Sequence, residues 1–310
     1  MASFFVLPSQ HEELARDEII SISKSYDTKT RVQSSPRLVF VESKISWKKI
    51  ASRSTFSRYS GEILDTFEDV SQIDLSITKP ESFVCRTINL SSKKIGTSLE
   101  RQVGGILKKK WGSQVSLSNP HLTVYVIVTD DKKYLGIADD IVTPVHPIKS
   151  VKHPHEIDMK LGRCVVNLSQ LNEGMTLCDP FCGTGTILLE AESMGINAIG
   201  IDYDKIMCKI TSKNLAVNGF RSRVINSQYN KMLDFKDEID GIVTDLPYGI
   251  SSRSSIPPQR LVKDFLSIIP KRKKLVMVYK KGLEVEEMSK AKKYEIYRHK
   301  SLTRVIGVLS

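Results

Sequence analysis

Short alternating elements are indicated by the pattern of apolar and polar positions in the first sixty residues of this 310-residue chain. The apolar runs are strand-sized, and the longer stretches between them place apolar residues three and four apart, as in a helix with one buried face. The predicted elements, in chain order, are a strand at 4–7, a helix at 10–25, strands at 30–33 and 37–41, a helix at 45–52 and a strand at 55–59. This βαββαβ order predicts a small ferredoxin-like domain at residues 1–60.

A second mixed unit is predicted at residues 61–142. Its pattern indicates a strand at 83–89, a helix at 97–111, and a hairpin formed by residues 122–129 and 133–137. The next segment, 143–157, contains prolines and histidines without a regular period, so we predict a linker there.

From residue 158 the pattern changes to buried strands that alternate with longer helices. The predicted helices are 158–171, 186–194, 205–218 and 260–269. The predicted strands are 175–178, 197–201, 224–226, 241–244, 274–279, 295–298 and 302–308. Strands separated by helices of this length predict a mostly parallel sheet covered by helices, which is a Rossmann-like α/β domain.

Composition is typical of a soluble globular protein. Hydrophobic residues make up 40% of the chain and charged residues 26%, and no apolar run approaches the roughly 20 residues of a membrane span. The first residues also lack the pattern of a signal peptide, so we expect a cytoplasmic protein with no membrane partner. Five scattered cysteines without a histidine cluster argue against a disulfide framework and against a metal site.

The charge balance is basic, with a net charge of +11 that is spread along the chain. Such an excess favours a polyanionic partner, although a basic soluble enzyme would also show it. Cationic side chains cluster around the predicted helix at 97–111. We predict phosphate contacts for six of them: Lys93, Lys94, Arg101, Lys108, Lys109 and Lys110. A solvated helix end is the alternative for the last three.

A glycine-rich turn, DPFCGTGT at residues 179–186, joins a predicted strand to a predicted helix. Gly183 and Gly185 would let the backbone approach a ligand, and the start of the helix offers free N–H groups. Asp202 ends the next strand, where a carboxylate can accept hydrogen bonds from ribose hydroxyls. The third glycine of a dinucleotide fingerprint is absent, and Asp179 would repel a pyrophosphate but suits a cationic sulfonium. The turn therefore predicts S-adenosylmethionine, with a nicotinamide or flavin cofactor and a purely structural turn as alternatives.

A second motif, TDLPYG at residues 244–249, follows an apolar strand. An exocyclic purine amine is a poor nucleophile because its lone pair is delocalised into the ring. Methyl transfer to it therefore needs two acceptors for the amine hydrogens, which the Asp245 carboxylate and the Leu246 carbonyl could provide. Pro247 would fix the loop, and Tyr248 would stack on the base. Taken alone, the motif could also be a turn that closes a strand.

Together these motifs resemble those of the THUMP-containing tRNA guanine-N2 methyltransferases, especially the archaeal type that acts on guanosine 10. The resemblance covers nearly the whole chain: DPFCGTG and TDLPYG match the cofactor and catalytic motifs, and residues 299–304 resemble the last strand of the family. It implies a seven-stranded methyltransferase domain at residues 158–310 and a THUMP RNA-binding domain at residues 61–142. It also implies S-adenosylmethionine as methyl donor and tRNA as partner; the number of subunits stays open, a monomer among the options.

The motifs and the resemblance together assign the site residues. The expected cofactor contacts are Asp179, Phe181, Cys182, Gly183, Thr184, Gly185, Thr186, Asp202, Tyr203, Gln228 and Asp245. The expected catalytic residues are Asp245, Leu246, Pro247 and Tyr248. Two positions depart from the family, because Leu246 stands where proline is frequent and Gln228 where related enzymes often carry an acid that contacts the adenine amine.

The predicted activity is the transfer of one or two methyl groups to N2 of a tRNA guanosine. Adenine N6 or another planar amine in RNA, DNA or protein is one alternative, because the local motif suits all of these acceptors. A noncatalytic RNA-binding protein with a degenerate methyltransferase fold is the other.

Overall fold

A computed structural model describes residues 2–70, 73, 79–154, 156–247, 257–270, 272–299 and 302–309. The chain divides into two compact units. The first unit comprises Met1–Arg16, Asp27–Ser52 and Phe56–Thr143, and the second comprises Asp17–Tyr26, Arg53–Thr55 and Pro144–Ser310.

One mixed sheet organises the first part of the chain. Its elements are β1 (Ala2–Val6), α1 (Glu12–Tyr26), β2 (Arg31–Ser35), β3 (Leu38–Glu42), α2 (Trp47–Arg53), β4 (Tyr59–Phe67), β5 (Ser82–Asn89), α3 (Ser98–Trp111), β6 (Gln114–Val115), β7 (Leu122–Val128) and β8 (Lys133–Ala138). Within the described residues, the strand order is β2-β3-β1-β4-β8-β7-β5-β6. The first four strands have the ferredoxin-like order, and the pairing of β4 with β8 joins them to the strands that follow.

Helix α3 packs against this sheet through one apolar face. Val103, Leu107 and Trp111 recur every four residues, are buried, and belong to the same core cluster as residues of β5 and β7. The helix ends at Gly112, whose left-handed backbone (φ 64°) lets its N–H donate to the Lys108 carbonyl at 2.8 Å.

The strand predicted at residues 55–59 is wrong, because β4 covers the residues that follow. The Thr55 amide donates to the buried Glu18 carboxylate at 3.1 Å, so it is not available to a sheet. Within β4 a bulge between Ile63 and Asp65 shifts the register. A bulge breaks the alternation on which strand prediction depends, which explains why the pattern missed this strand.

The second unit contains the predicted Rossmann-like sheet. Its elements are α4 (Met159–Leu168), β9 (Thr176–Asp179), α5 (Thr186–Ser193), β10 (Asn197–Asp202), α6 (Lys205–Val217), β11 (Arg223–Asn226), β12 (Gly241–Asp245), α7 (Pro258–Ser267), β13 (Lys274–Lys280), β14 (Lys292–His299) and β15 (Leu302–Leu309). Across the described residues, the strand order is β11-β10-β9-β12-β13-β15-β14. Neighbouring strands are parallel except β15, which is antiparallel to both β13 and β14. The predicted seven-stranded sheet is confirmed.

The segment predicted as a linker lies along α6 of the second unit. We call its described residues, 144–154 and 156–157, the strap. The Asn214 side chain accepts from the Val151 amide and donates to the Val151 carbonyl, both at 2.9 Å. Four residues further along α6, Asn218 binds the amide and carbonyl of Ile148 in the same way, at 2.8 and 2.7 Å. Two side-chain amides on one helix face thus satisfy strap backbone groups that have no strand to pair with.

Within the described parts of the chain, no helix combines the length and the apolar character that a membrane crossing requires.

Close packing at Gly61 on β4 gives a test of the first sheet. A Cβ atom at this position would lie 2.2 Å from the Ile137 carbonyl oxygen and 2.8 Å from a ring carbon of Phe4. We expect Gly61→Ala to destabilise the protein by about 1–3 kcal/mol, because backbone must move to make room. Gly105→Ala is the control: Gly105 lies on α3 with open space around it, so alanine should stabilise the helix by about 0.5–1 kcal/mol. Calorimetric melting of the full chain measures both, and an unchanged melting temperature for Gly61→Ala would contradict the packing described.

Candidate active site

The glycine-rich turn connects β9 to α5 at the carboxyl end of the second sheet. Gly183 (φ 50°) and Gly185 (φ 85°) both adopt left-handed backbone conformations. A Cβ atom on Gly185 would also lie 2.8 Å from the Thr211 side chain of α6. The Thr211 hydroxyl donates to the Gly183 carbonyl at 2.6 Å, which fixes the shape of the turn.

The turn packs directly on β10. A Cβ atom on Gly200 would lie 2.4 Å from a Leu188 methyl group and 3.0 Å from the Cys182 sulfur. Leu188, which replaces the third glycine of a dinucleotide fingerprint, therefore packs against Gly200 of β10, where the absence of a side chain leaves room for it. Burial raises the pKa of the Cys182 thiol well above its usual value, so this side chain is an inert packing group.

Asp202 joins the turn to the end of β10. Its Oδ2 accepts a hydrogen bond from the Gly183 amide at 2.9 Å, and its Oδ1 accepts one from the Asp204 amide at 2.9 Å. Burial raises the pKa of Asp202, against the effect of these two hydrogen bonds. Because a carboxylate has about four acceptor positions, both oxygens can still accept from ribose hydroxyls.

Asp179 is buried where the two motifs meet. Its Oδ1 accepts hydrogen bonds from the Thr244 hydroxyl at 2.6 Å and from the Phe181 amide at 3.1 Å. Burial, together with the negative charges of Asp245 and Asp202, raises the pKa of Asp179 to about 7, against the effect of these hydrogen bonds. A bound cation nearby would favour the ionised carboxylate.

The catalytic motif begins at the carboxyl end of β12. This strand lies between β9 and β13, and Asp245 is in register with Val278 of β13. The next residue, Leu246, is buried, and its amide donates to the Val278 carbonyl at 2.9 Å. Tyr248, which we predicted to stack on the base, lies outside the described residues, so that role stays a prediction.

A cavity of about 630 Å³ connects the two motifs, a volume within the usual range of small-molecule sites. Ten of the predicted cofactor residues line it: Asp179, Phe181, Cys182, Gly183, Thr184, Thr186, Asp202, Tyr203, Gln228 and Asp245. Gly185 is not among the lining residues and shapes the turn from behind. Leu246 and Pro247 also line the cavity.

Several lining residues were not predicted from the sequence. They are His153, Glu156, Ile157, Pro180, Ile187, Asp204, Met207, Tyr229, Lys280, His299 and Leu302. Phe181 stacks on Tyr229 with ring centroids 5.3 Å apart, and the two rings form an aromatic wall of the cavity. Asp204 and Met207 follow Asp202 closely and could have been suggested by their position. Pro180 belongs to the glycine-rich motif, and His299 and Leu302 to the segment 299–304, but neither motif gave them a role. The remaining residues come from segments without a motif, and only the fold brings them to the cavity.

The six cationic residues predicted to bind RNA are all exposed on the first unit. Lys93 and Lys94 line a cleft of about 920 Å³, together with Lys132 and Lys133. The last turn of α3 carries Lys108, Lys109 and Lys110. The two groups lie at opposite ends of this 14-residue helix, which is about 21 Å long. Arg101 is exposed on α3 between the two groups, and the contact of all six residues with RNA stays a prediction.

No set of three or more metal-ligating side chains occurs within the described ranges of the chain.

Comparison with known proteins identifies the family. A family model described as "RMKL-like, methyltransferase domain" matches residues 147–305, and a DNA methylase model matches residues 15–213. The tRNA (guanine(10)-N2)-dimethyltransferase of Methanothermobacter thermautotrophicus is 30% identical over 333 aligned positions, covering 100% of this chain and 99% of the relative. The chain belongs to the same methyltransferase family as this relative. The corresponding enzyme of Methanocaldococcus jannaschii is 28% identical and covers 98% of each chain.

Solved structures agree on the fold. TrmN from Thermus thermophilus matches 99% of this chain and 98% of its own with a TM-score of 0.55, at 16% identity. The predicted Rossmann-like methyltransferase fold is therefore confirmed. The protein is an S-adenosylmethionine-dependent methyltransferase, so the enzyme and cofactor predictions are confirmed as well.

The side chains of the cavity fit S-adenosylmethionine. Five carboxylates line it: Glu156, Asp179, Asp202, Asp204 and Asp245. Three basic side chains also line the cavity: His153, Lys280 and His299. An acid-rich wall suits a ligand with sulfonium and ammonium groups, and it would repel the pyrophosphate of a dinucleotide.

The raised pKa of Asp179 predicts how pH affects the stability of the cofactor-free protein. The folded-state pKa of about 7 lies above the ordinary value of 3.8 for an aspartate, so the unfolded chain loses this proton at a lower pH than the folded protein does. Folded stability therefore falls as the pH rises from about 4 to about 7, and the loss is constant above that range. We expect Asp179→Asn to be more stable than the wild type, with an advantage that grows over the same range. Urea unfolding at pH 5, 6.5 and 8 measures this, with the exposed Asp237→Asn as control. An advantage that shrinks with rising pH would contradict the assignment.

Proposed function

We propose that this protein transfers methyl groups from S-adenosylmethionine to N2 of a guanosine in tRNA, with guanosine 10 as the target. The observation that carries the proposal is the placement of the TDLPYG motif. Its described residues, 244–247, start at the end of β12, directly beside the cofactor turn that follows β9, and the last three of them line the same acid-rich cavity as that turn. The full-length similarity to tRNA (guanine(10)-N2)-dimethyltransferases supports guanine N2 in tRNA over the other planar amines.

Two acceptors at the end of β12 would hold the amine. The Asp245 carboxylate and the Leu246 carbonyl can each accept one amine hydrogen, which draws the nitrogen toward a tetrahedral geometry and makes its lone pair available. Because the Leu246 amide is bonded to β13, the backbone that presents this carbonyl is fixed before the substrate arrives. When bound, S-adenosylmethionine supplies the methyl group from a sulfonium centre that becomes a neutral thioether. The nitrogen then releases a proton, for which Asp245 is the acceptor.

The parts of the chain take the following roles in the proposal. The ferredoxin-like domain, predicted at residues 1–60, extends to the end of β4 at Phe67, because the predicted boundary falls within this strand. The strands that follow, up to residue 142, belong to a THUMP domain that binds tRNA, residues 143–157 are the connecting segment, and residues 158–310 are the methyltransferase domain. The exposed lysines at the two ends of α3 support phosphate binding by the THUMP domain. We place the protein in the cytoplasm, where its tRNA substrate would be found.

Asp245→Ala tests the mechanism. We expect methyl transfer to fall at least 100-fold, because the amine loses an acceptor that acts in the transition state, while tRNA binding persists and any loss of cofactor affinity is much smaller than the loss of rate. Transfer of a tritiated methyl group to unmodified tRNA gives the rate, and filter binding gives the tRNA affinity. Asp240→Ala is the matched control, because this exposed carboxylate precedes the other end of the same strand. Full activity of Asp245→Ala would refute the mechanism.

The identity of the product tests the substrate. After incubation with unmodified tRNA, we expect mass spectrometry to find N2-methylguanosine or N2,N2-dimethylguanosine, and fragment mapping to place it at position 10. Replacement of guanosine 10 by adenosine in the transcript is the control and should abolish incorporation. N6-methyladenosine as the product, or methylguanosine at another position, would show that the target is wrong although the chemistry is right.

A further inference from the structure

Glu156, on the strap, is held by several neighbours at the edge of the cofactor turn. Its Oε2 accepts hydrogen bonds from the Lys149 ammonium at 2.8 Å, the Thr184 hydroxyl at 2.5 Å and the His153 amide at 3.0 Å. Its backbone carbonyl accepts a further bond from the buried Arg304 guanidinium at 3.1 Å. This carboxylate is therefore fixed in position before any ligand binds.

The same contacts connect the strap to the glycine-rich turn. The Lys149 side chain is buried, and its ammonium also donates to the hydroxyls of Thr184 and Thr186. The Asn214 amide, which binds the strap backbone, donates in addition to the Thr184 carbonyl at 3.0 Å. Glu156 and the turn thus belong to one hydrogen-bonded network.

The arrangement leaves one oxygen of Glu156 for a ligand. Within the described residues, all hydrogen bonds to this carboxylate go to Oε2, and Glu156 lines the cavity. Burial would raise the pKa of Glu156, but the hydrogen bonds from Lys149, Thr184 and the His153 amide outweigh it, so the pKa lies below its usual value. Oε1 therefore belongs to an ionised carboxylate of a cavity-lining residue and has capacity to accept a hydrogen bond.

The position of the turn indicates which part of the cofactor lies there. Asp202 ends β10 and Asp245 ends β12, with β9 and its turn between them. With ribose at Asp202 and the methyl acceptor at Asp245, the sulfonium would lie between them, near the end of β9. The turn after β9 would then hold the amino-acid portion, and the start of α5 would offer N–H groups to its carboxylate. Its ammonium needs an acceptor in the same place.

We propose that Oε1 of Glu156 accepts a hydrogen bond from the α-ammonium of S-adenosylmethionine, and that Lys149 and Thr184 are the positioning residues that hold this carboxylate in place. The inference rests on the cofactor assignment and does not depend on which RNA nucleotide is methylated. The competing explanation is that Glu156 serves only as the counter-ion of the buried Lys149.

Three ligands that differ only in the amino-acid portion separate the two explanations. S-adenosylhomocysteine carries both the ammonium and the carboxylate, its decarboxylated analogue keeps the ammonium, and 5′-methylthioadenosine has neither. Isothermal titration of the full-length protein gives the affinity for each. In Glu156→Gln we expect about 10-fold weaker binding of both ammonium ligands, and less than 2-fold change for 5′-methylthioadenosine. Thr184→Val, which removes one hydroxyl donor to Glu156, should give a smaller loss with the same selectivity.

Asp204→Asn is the matched control, because it removes another carboxylate of the cavity at the Asp202 end. It should not distinguish ligands with and without the ammonium. Equal losses for all three ligands in Glu156→Gln would mean that this residue only supports the turn, and unchanged affinities would mean that it contacts no ligand. Either result overturns the proposal. Because the readout is binding, a failure of the tRNA assignment would not alter it.

Discussion

The hydrogen bond between the Thr244 hydroxyl and the Asp179 carboxylate connects the two strand ends on which the site depends. One strand leads into the cofactor turn and the other into the catalytic motif, so this contact helps to set the distance between methyl donor and acceptor. It is made inside the protein, where burying a carboxylate is costly unless its charge is compensated. The raised pKa of Asp179 shows that two hydrogen bonds do not compensate it fully. A cationic ligand would supply what is missing, so cofactor binding and the stability of this region are coupled.

A second layer of support lies outside the motifs. The turn is held from below by Gly200 and Thr211, and from the side by Lys149 and Glu156 of the strap. This preorganisation matters because ordering a binding loop costs free energy, and a ligand that has to order the loop binds more weakly. The strap is therefore a wall of the cofactor cavity as well as a connection between parts of the chain.

The sequence was most informative where a side chain has to meet a strict backbone or chemical requirement. Gly183 and Gly185 mark a left-handed turn, and Asp202 and Asp245 follow apolar strands, so the topology of a parallel sheet brings them to one edge. The sequence was least informative where tertiary contacts, and not a local pattern, determine the structure. The bulge in β4 hides that strand, and the 3₁₀ helix Tyr229–Phe235, which supplies the second aromatic wall residue, has no helical period to detect. Glu156 belongs to no motif, and its place in the site follows only from its hydrogen bonds.

The charge of the cavity is opposite in sign to the net charge of the whole chain. Five carboxylates line the cavity, whereas the chain as a whole carries a net charge of +11. A wall of carboxylates attracts the cationic cofactor but repels the phosphates of an RNA backbone. Affinity for RNA must then come from lysines elsewhere, such as those near the two ends of α3. This affinity should weaken as the salt concentration rises, because the release of counter-ions from the RNA then becomes less favourable. Only the target base, which is neutral, has to enter the acid-rich cavity. Separating the charge that binds RNA from the charge that binds the cofactor lets one chain accept ligands of opposite sign.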